Sequence, residues 1–169
     1  MKKLLVTLTL LSLWAVASTP VAKPFSPSVK YLITYDKNTT CLVRHIPLYK
    51  DPKWVAKIEV RGGKTVYFSS PKSLFEFYHR PGKWFDVGVK SERDFSKIVV
   101  TDYKSLKAID AERAFFVYGS RAISPAGDDL IPFATHADAQ AFMTHYNGKR
   151  ILTFDEVSDA LIRLLNGRI

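Results

Sequence analysis

The chain is poor in the residues that carry covalent and soft-metal chemistry. Of its 169 residues one is cysteine, Cys41, and two are methionine, one of them the initiator. A single cysteine cannot close an internal disulfide, so Cys41 is either buried and inert, paired with another molecule, or a ligand. Multi-thiol chemistry is excluded on the same count. Serine, histidine and aspartate are available, but no Gly-x-Ser-x-Gly turn sets them up for nucleophilic catalysis, and the chain is not expected to be an enzyme. Charge never collects: the net +9 is spread without a run of five like residues, which argues against a nucleic-acid-binding segment. The basic surface is expected to be solvated, with at most a weak association with anionic membrane surfaces or acidic partners.

Only one stretch is long and free of charge, Leu4 to Val16. Lys2 and Lys3 precede it and Ala15-Val16-Ala17 follows, the charged, apolar and small-residue order of a secretory signal peptide. It falls short of the roughly 20 apolar residues a membrane span needs. Residues 1–17 are therefore expected to be a cleaved signal peptide, with cleavage as late as residue 22, placing the chain in the periplasm or outside the cell. No cysteine stands at that junction to take a lipid. Residues 18–28, rich in proline and serine, read as a spacer. Losing Lys2 and Lys3 leaves a net charge of about +7, still basic. The remaining stretch of about 150 residues is the size of one domain, and 47% hydrophobic content with 13% aromatics can fill a core.

What is present is a regular alternation of elements. Val29 to Tyr35 has strand composition, and Trp54 to Val60 and Thr65 to Phe68 flank Gly62-Gly63 as a hairpin. Ser70 and Pro71 open a helix with Leu74, Phe77 and Tyr78 on one face, stopped by Pro81-Gly82. Strands follow at Lys97 to Tyr103, Ala114 to Tyr118 and Leu130 to Phe133, with a loop from Gly119 to Asp129. Thr135 caps a second helix, which carries Asp138 in its first turn and ends at Gly148. Lys149 to Phe154 is a strand, and Val157, Leu161, Leu164 and Leu165 mark a C-terminal helix. The fold class is α+β: a ββαβ unit written twice. Offsetting the chain by 65 residues superposes Phe68 on Phe133, Ser70 on Thr135, Leu74 on Ala139 and Phe77 on Phe142. The division is expected as lobe one over about residues 29–107 and lobe two over about 108–169.

The stretch Lys97 to Ser120 (KIVVTDYKSLKAIDAERAFFVYGS), with Tyr49 to Trp54 (YKDPKW), Val66 to Phe77, Leu130 to Phe133 (LIPF), Ala137 to Phe142 and Lys149 to Val157, resembles the NosL family. The similarity runs from about Cys41 to Val157. It implies a periplasmic copper(I)-binding accessory protein of nitrous oxide reductase, of two related ββαβ lobes, similar in fold to part of the organomercurial lyases. It implies a protein partner in copper-centre assembly. The family holds Cu(I) through Cys-Gly-Met, often with an outer cysteine, and a Met in a Gly-Pro-Met-Gly turn. Those soft donors suit Cu(I). Set from Pro52-Lys53-Trp54, the motif cysteine falls on Arg44, the glycine on His45 and the methionine on Ile46. Ser124-Pro125-Ala126-Gly127 replaces the later turn, so its methionine is Ala126.

Cys41, the outer cysteine, survives, and Cys41 with His45 is the candidate metal pair. Four residues bring two side chains together on a helix and separate them by roughly 13 Å on a strand. Pro47 and the β-branched Val43 and Ile46 disfavour the helix, leaving a turn as the route. Arg44 would place a fixed positive charge beside any bound cation. His79 and His145 each end a helix, where capping the dipole is the expected role. His136 reads as surface and Met143 as core. Trp54, Tyr67, Phe68, Phe75, Phe77, Tyr78 and Trp84 read as core, and Asp102 and Asp110 as turn-forming. A metal-free member keeping the scaffold as an interaction or assembly module is the alternative. Its partner surface would lie where the lobes meet or along Gly119 to Asp129.

Overall fold

A computed structural model describes residues 31–168. The expected signal peptide, spacer and first two residues of the first strand lie outside the described residues.

The repeat is visible in the topology. Strands β1 (Ala56–Val60), β2 (Thr65–Phe68), β3 (Phe95–Thr101) and β4 (Ala108–Asp110) form an antiparallel sheet in the order β2-β1-β3-β4. Strands β5 (Phe115–Ser124), β6 (Gly127–Phe133) and β7 (Arg150–Thr153) form a second in the order β6-β5-β7. In each, the first strand of the unit is central, its hairpin partner lies on one side, and the strand after the helix lies on the other. The helices are α1 (Pro71–His79), α2 (His136–His145) and α3 (Asp159–Leu165).

Local chemistry accounts for the joints. Gly62 and Gly63, at φ 95° and 93°, turn the β1–β2 hairpin, where a side chain would be strained. The Ser70 hydroxyl accepts from the Ser73 N–H at α1, and the Thr135 hydroxyl accepts from the Asp138 N–H at α2. Both satisfy amides that the first turn leaves without a helical partner. Gly148 N–H donates to the Met143 carbonyl at the end of α2. A Cβ there would stand 2.6 Å from Val117 Cγ1, so the position accepts no side chain without movement.

The halves stack in layers: first sheet, α1, second sheet, α2. Phe77 meets Phe68 and Phe95 of the first sheet, while Phe75 meets Phe116 and Phe154 on the other side. Each is wholly buried and contributes about 2–3 kcal/mol by transfer from water. The second sheet uses both faces, as strand periodicity allows. Phe116, Leu130 and Leu152 join the main core with α1, whereas Val117, Ile131 and Phe133 join a second core under α2. Trp54 and Tyr103 cross from the first half into that second core, with ring centroids 5.2 Å apart.

Several expectations need correction. Tyr31 to Tyr35 is not a strand. Tyr31, Ile33 and Tyr35 are half-buried with exposed residues between them, so the period of two is present, but the segment makes no ladder. It lies against the outer face of the first sheet, where Tyr31 Oη donates to Asp110 Oδ2 (2.8 Å) and Tyr67 Oη donates to the Thr34 carbonyl (2.7 Å). Trp54 belongs to a 3-10 turn at Pro52–Trp54, ahead of β1. The expected loop from Gly119 to Asp129 is a continuation of the β5–β6 hairpin, with a register shift between Tyr118 and Ile123. Ala108–Asp110 adds a short strand to the first sheet that composition did not indicate.

Candidate functional site

Residues Cys41 to Ile46 form a closed turn. Thr40 and Pro47 pair across its base. Inside it, Cys41 N–H donates to the Ile46 carbonyl and His45 N–H to the Cys41 carbonyl, each at 2.9 Å. Leu42 N–H donates to the Tyr67 carbonyl, fixing the turn to β2. His45 sits at φ 57°, a left-handed conformation natural to glycine and uncommon for histidine.

Cys41 and His45 therefore share a turn, but their side chains meet different surroundings. Cys41 is free and 0% exposed, packed in the main core, and its Sγ accepts the Arg44 N–H at 3.3 Å. His45 is exposed. Among the described residues no group of three or more His, Cys, Asp or Glu side chains could hold a metal ion.

The three further positions onto which the resemblance places ligands, Arg44, Ile46 and Ala126, carry no soft donor. Arg44 is half-buried, and its Nη2 donates to Glu76 Oε2 of α1 (3.0 Å) and to Asn166 Oδ1 after α3. Ile46 is half-buried. Ala126 lies in the β5–β6 turn, where its N–H donates to Ser124 Oγ and its carbonyl accepts from Lys72 Nζ at 2.6 Å. Lys72 also donates to the Leu165 carbonyl at 3.1 Å. Burial lowers the Lys72 pKa; Asp129 pulls it back up and Arg44 pushes it further down.

Behind this region stands Asp129, 3% exposed on β6. Its Oδ1 accepts the Lys72 N–H (2.7 Å) and Leu130 N–H (2.8 Å), and its Oδ2 accepts the Ser124 hydroxyl (2.6 Å). Burial raises its pKa while these bonds oppose the rise. A carboxylate of the second half thus serves the first turn of α1 in the first half, where negative charge is stabilised.

The remaining candidates are placed as follows. His79 Nε2 donates to the Val157 carbonyl at 2.8 Å, and its pKa is lowered chiefly by burial. His145 and His136 are exposed at the two ends of α2, against Tyr146 and Phe115. Met143 is half-buried against the second core. Asp102 accepts from Ser105 and from Ala134 N–H, and Asp110 from Tyr31 and Glu112 N–H. Sequence reasoning missed Lys72, Glu76, Asn166 and Arg168. On a helix, Lys72 and Glu76 at i and i+4 look like a solvated pair, and nothing local announces that both are buried.

The NosL family model matches residues 32–162, more than three quarters of the chain. The chain belongs to the NosL family. The NosL-family fold is also seen in the crystal structure of the copper chaperone NosL from Shewanella denitrificans. That structure is 22% identical with a TM-score of 0.64, over 78% of this chain and 98% of that one. The solution structure of the apo-NosL protein from Achromobacter cycloclastes is 22% identical with a TM-score of 0.46, over 63% of this chain and 87% of that one. No curated protein matches the chain. As a NosL-family member, the chain presents arginine, histidine and isoleucine at positions 44 to 46 of its Cys41–Ile46 loop. Among the described residues no helix is long and apolar enough to cross a membrane.

Proposed function

We propose that this chain is an exported, non-enzymatic accessory protein of copper handling. Its role is in assembling the copper centre of nitrous oxide reductase, and it works in complex with a protein partner. Copper(I) is the cargo, and the partner supplies most of its ligands. The observation that carries this reading is the NosL scaffold closed around a loop whose one soft donor, Cys41, is wholly buried. Membership of the family supports copper handling in general, and the absence of a soft donor at Arg44, Ile46 and Ala126 supports the need for a partner.

A second reading, favoured by the pinned guanidinium of Arg44, is a metal-free NosL scaffold used as an assembly module. The two part on copper. The mature chain is titrated anaerobically with Cu(I) against a chelator of known affinity, alone and with apo nitrous oxide reductase, beside Cys41→Ser. Copper retained only by the mixture supports the partner reading. Association unchanged by copper or by Cys41→Ser supports the metal-free module. Tight one-to-one binding by the chain alone, lost in Cys41→Ser, overturns both and assigns the ion to a site built on Cys41.

A further inference from the structure

A buried ion network already occupies the place where the Cys41–Ile46 loop meets α1 and the end of α3. Glu76 is 5% exposed and receives three donors: Arg44 Nη2 at 3.0 Å, Asn166 Nδ2 at 3.0 Å and Arg168 Nη1 at 2.7 Å. Arg44 and Asn166 are bonded to each other as well. One turn earlier on α1, Lys72 reaches the carbonyls of Ala126 and Leu165, the latter at the C-terminal end of α3 where positive charge is stabilised. Three cations, Arg44, Lys72 and Arg168, thus face two buried carboxylates, Glu76 and Asp129. Positively charged side chains thus tie the loop, α1, the β5–β6 turn and the end of α3 together.

We infer that Arg44 is a resident cation: its guanidinium cross-links the loop to α1 and to the C-terminal tail in place of a metal ion, and the loop takes no Cu(I) of its own. The inference rests on the reading of the loop given under Proposed function and deepens it. A guanidinium suits the role because a single terminal nitrogen, Nη2, can donate to a carboxylate and an amide oxygen together, and the group cannot be deprotonated. A second cation at the same place would meet like charge in partly desolvated surroundings, where repulsion is strong. The tail after α3 depends on the same contacts. Backbone bonds run from Asn166 N–H to the Ile162 and Arg163 carbonyls, from Gly167 N–H to Leu164 and from Arg168 N–H to Arg163, and the Glu76 network adds side-chain ties.

The test pairs hydrogen exchange of the tail with Cu(I) competition, using the full mature chain. Arg44→Met should speed exchange at Asn166 to Arg168 at least tenfold while leaving α2 unchanged, and Arg44→Lys should fall between. The triple variant Arg44→Cys, Ile46→Met, Ala126→Met should take one equivalent of Cu(I) from the chelator, where the wild type takes none, and copper should slow its tail exchange again. Wild-type tail exchange in Arg44→Met, or one equivalent of Cu(I) bound by the wild type, would overturn the inference. A folded triple variant that binds no copper would overturn it too. If the triple variant does not fold, Arg44→Met decides alone. Failure of partner association would leave all these results standing, so the two readings fail separately.

Discussion

The helices α1 and α2 begin with the same instructions and end in different places. Each follows a strand ending in phenylalanine, each has a hydroxyl cap accepting from the third residue on, and each sets a small or apolar residue and a phenylalanine at matched positions. Yet α1 is buried from Pro71 to Phe77, including Lys72 and Glu76, whereas α2 buries only Ala139 and Phe142. The first lies between two sheets and against α3; the second is an outer layer on one sheet. Start signals are local and therefore shared, while burial is decided by what the other half brings.

The sharpest way to break the comparison is to remove the matched phenylalanines. Phe77→Ala opens a sealed cavity and should cost about 3–5 kcal/mol in urea unfolding. Phe142→Ala, at the rim, should lose little beyond transfer, about 2–3 kcal/mol. Next is the cross-connection: Asp129→Ala orphans the Lys72 and Leu130 amides and should cost roughly 1–3 kcal/mol for each buried donor left unpaired. Asp129→Asn, which keeps an acceptor, should cost distinctly less by the same measurement. The caps should then differ least. Ser70→Ala and Thr135→Ala should each cost about 1 kcal/mol, and a much larger value at Ser70 would mean the cap is not the local device it resembles.

The smallest effect is a pH dependence confined to α1. The folded His79 pKa lies below its ordinary value because of burial, so the unfolded chain takes up the proton first as pH falls. Its contribution is complete above about 6.5, the ordinary histidine value, and declines as pH drops through it. Comparing urea midpoints of the wild type and His79→Gln from pH 8 to 5 isolates it, and parallel curves would refute it.

Much of this was readable from residue order because caps, glycine turns and periodicity act within a few residues. Ser70, Thr135 and Gly148 do what their types dictate. Tyr31 to Tyr35 misled because aromatic and β-branched residues report a fit to a half-buried surface, which a segment lying on a sheet face satisfies without a ladder partner. Ala108–Asp110 was missed because three residues show no period. At the loop, the turn joining Cys41 and His45 was a legible route, but the partners of Arg44 lie 32 and 122 residues away. No local pattern encodes a contact at that range.

The carboxylate of Asp129 also sets the order in which the chain can be completed. The amide it serves at Lys72 lies 57 residues earlier. A chain made N-terminus first presents α1 with its outer sheet in place and its opposite side bare, waiting for β6. Contacts of such sequence separation are slow to form because a long loop must close before they reward it. The early half should therefore be a sticky, unfinished intermediate, and the second half, though a repeat of the first, is what finishes it.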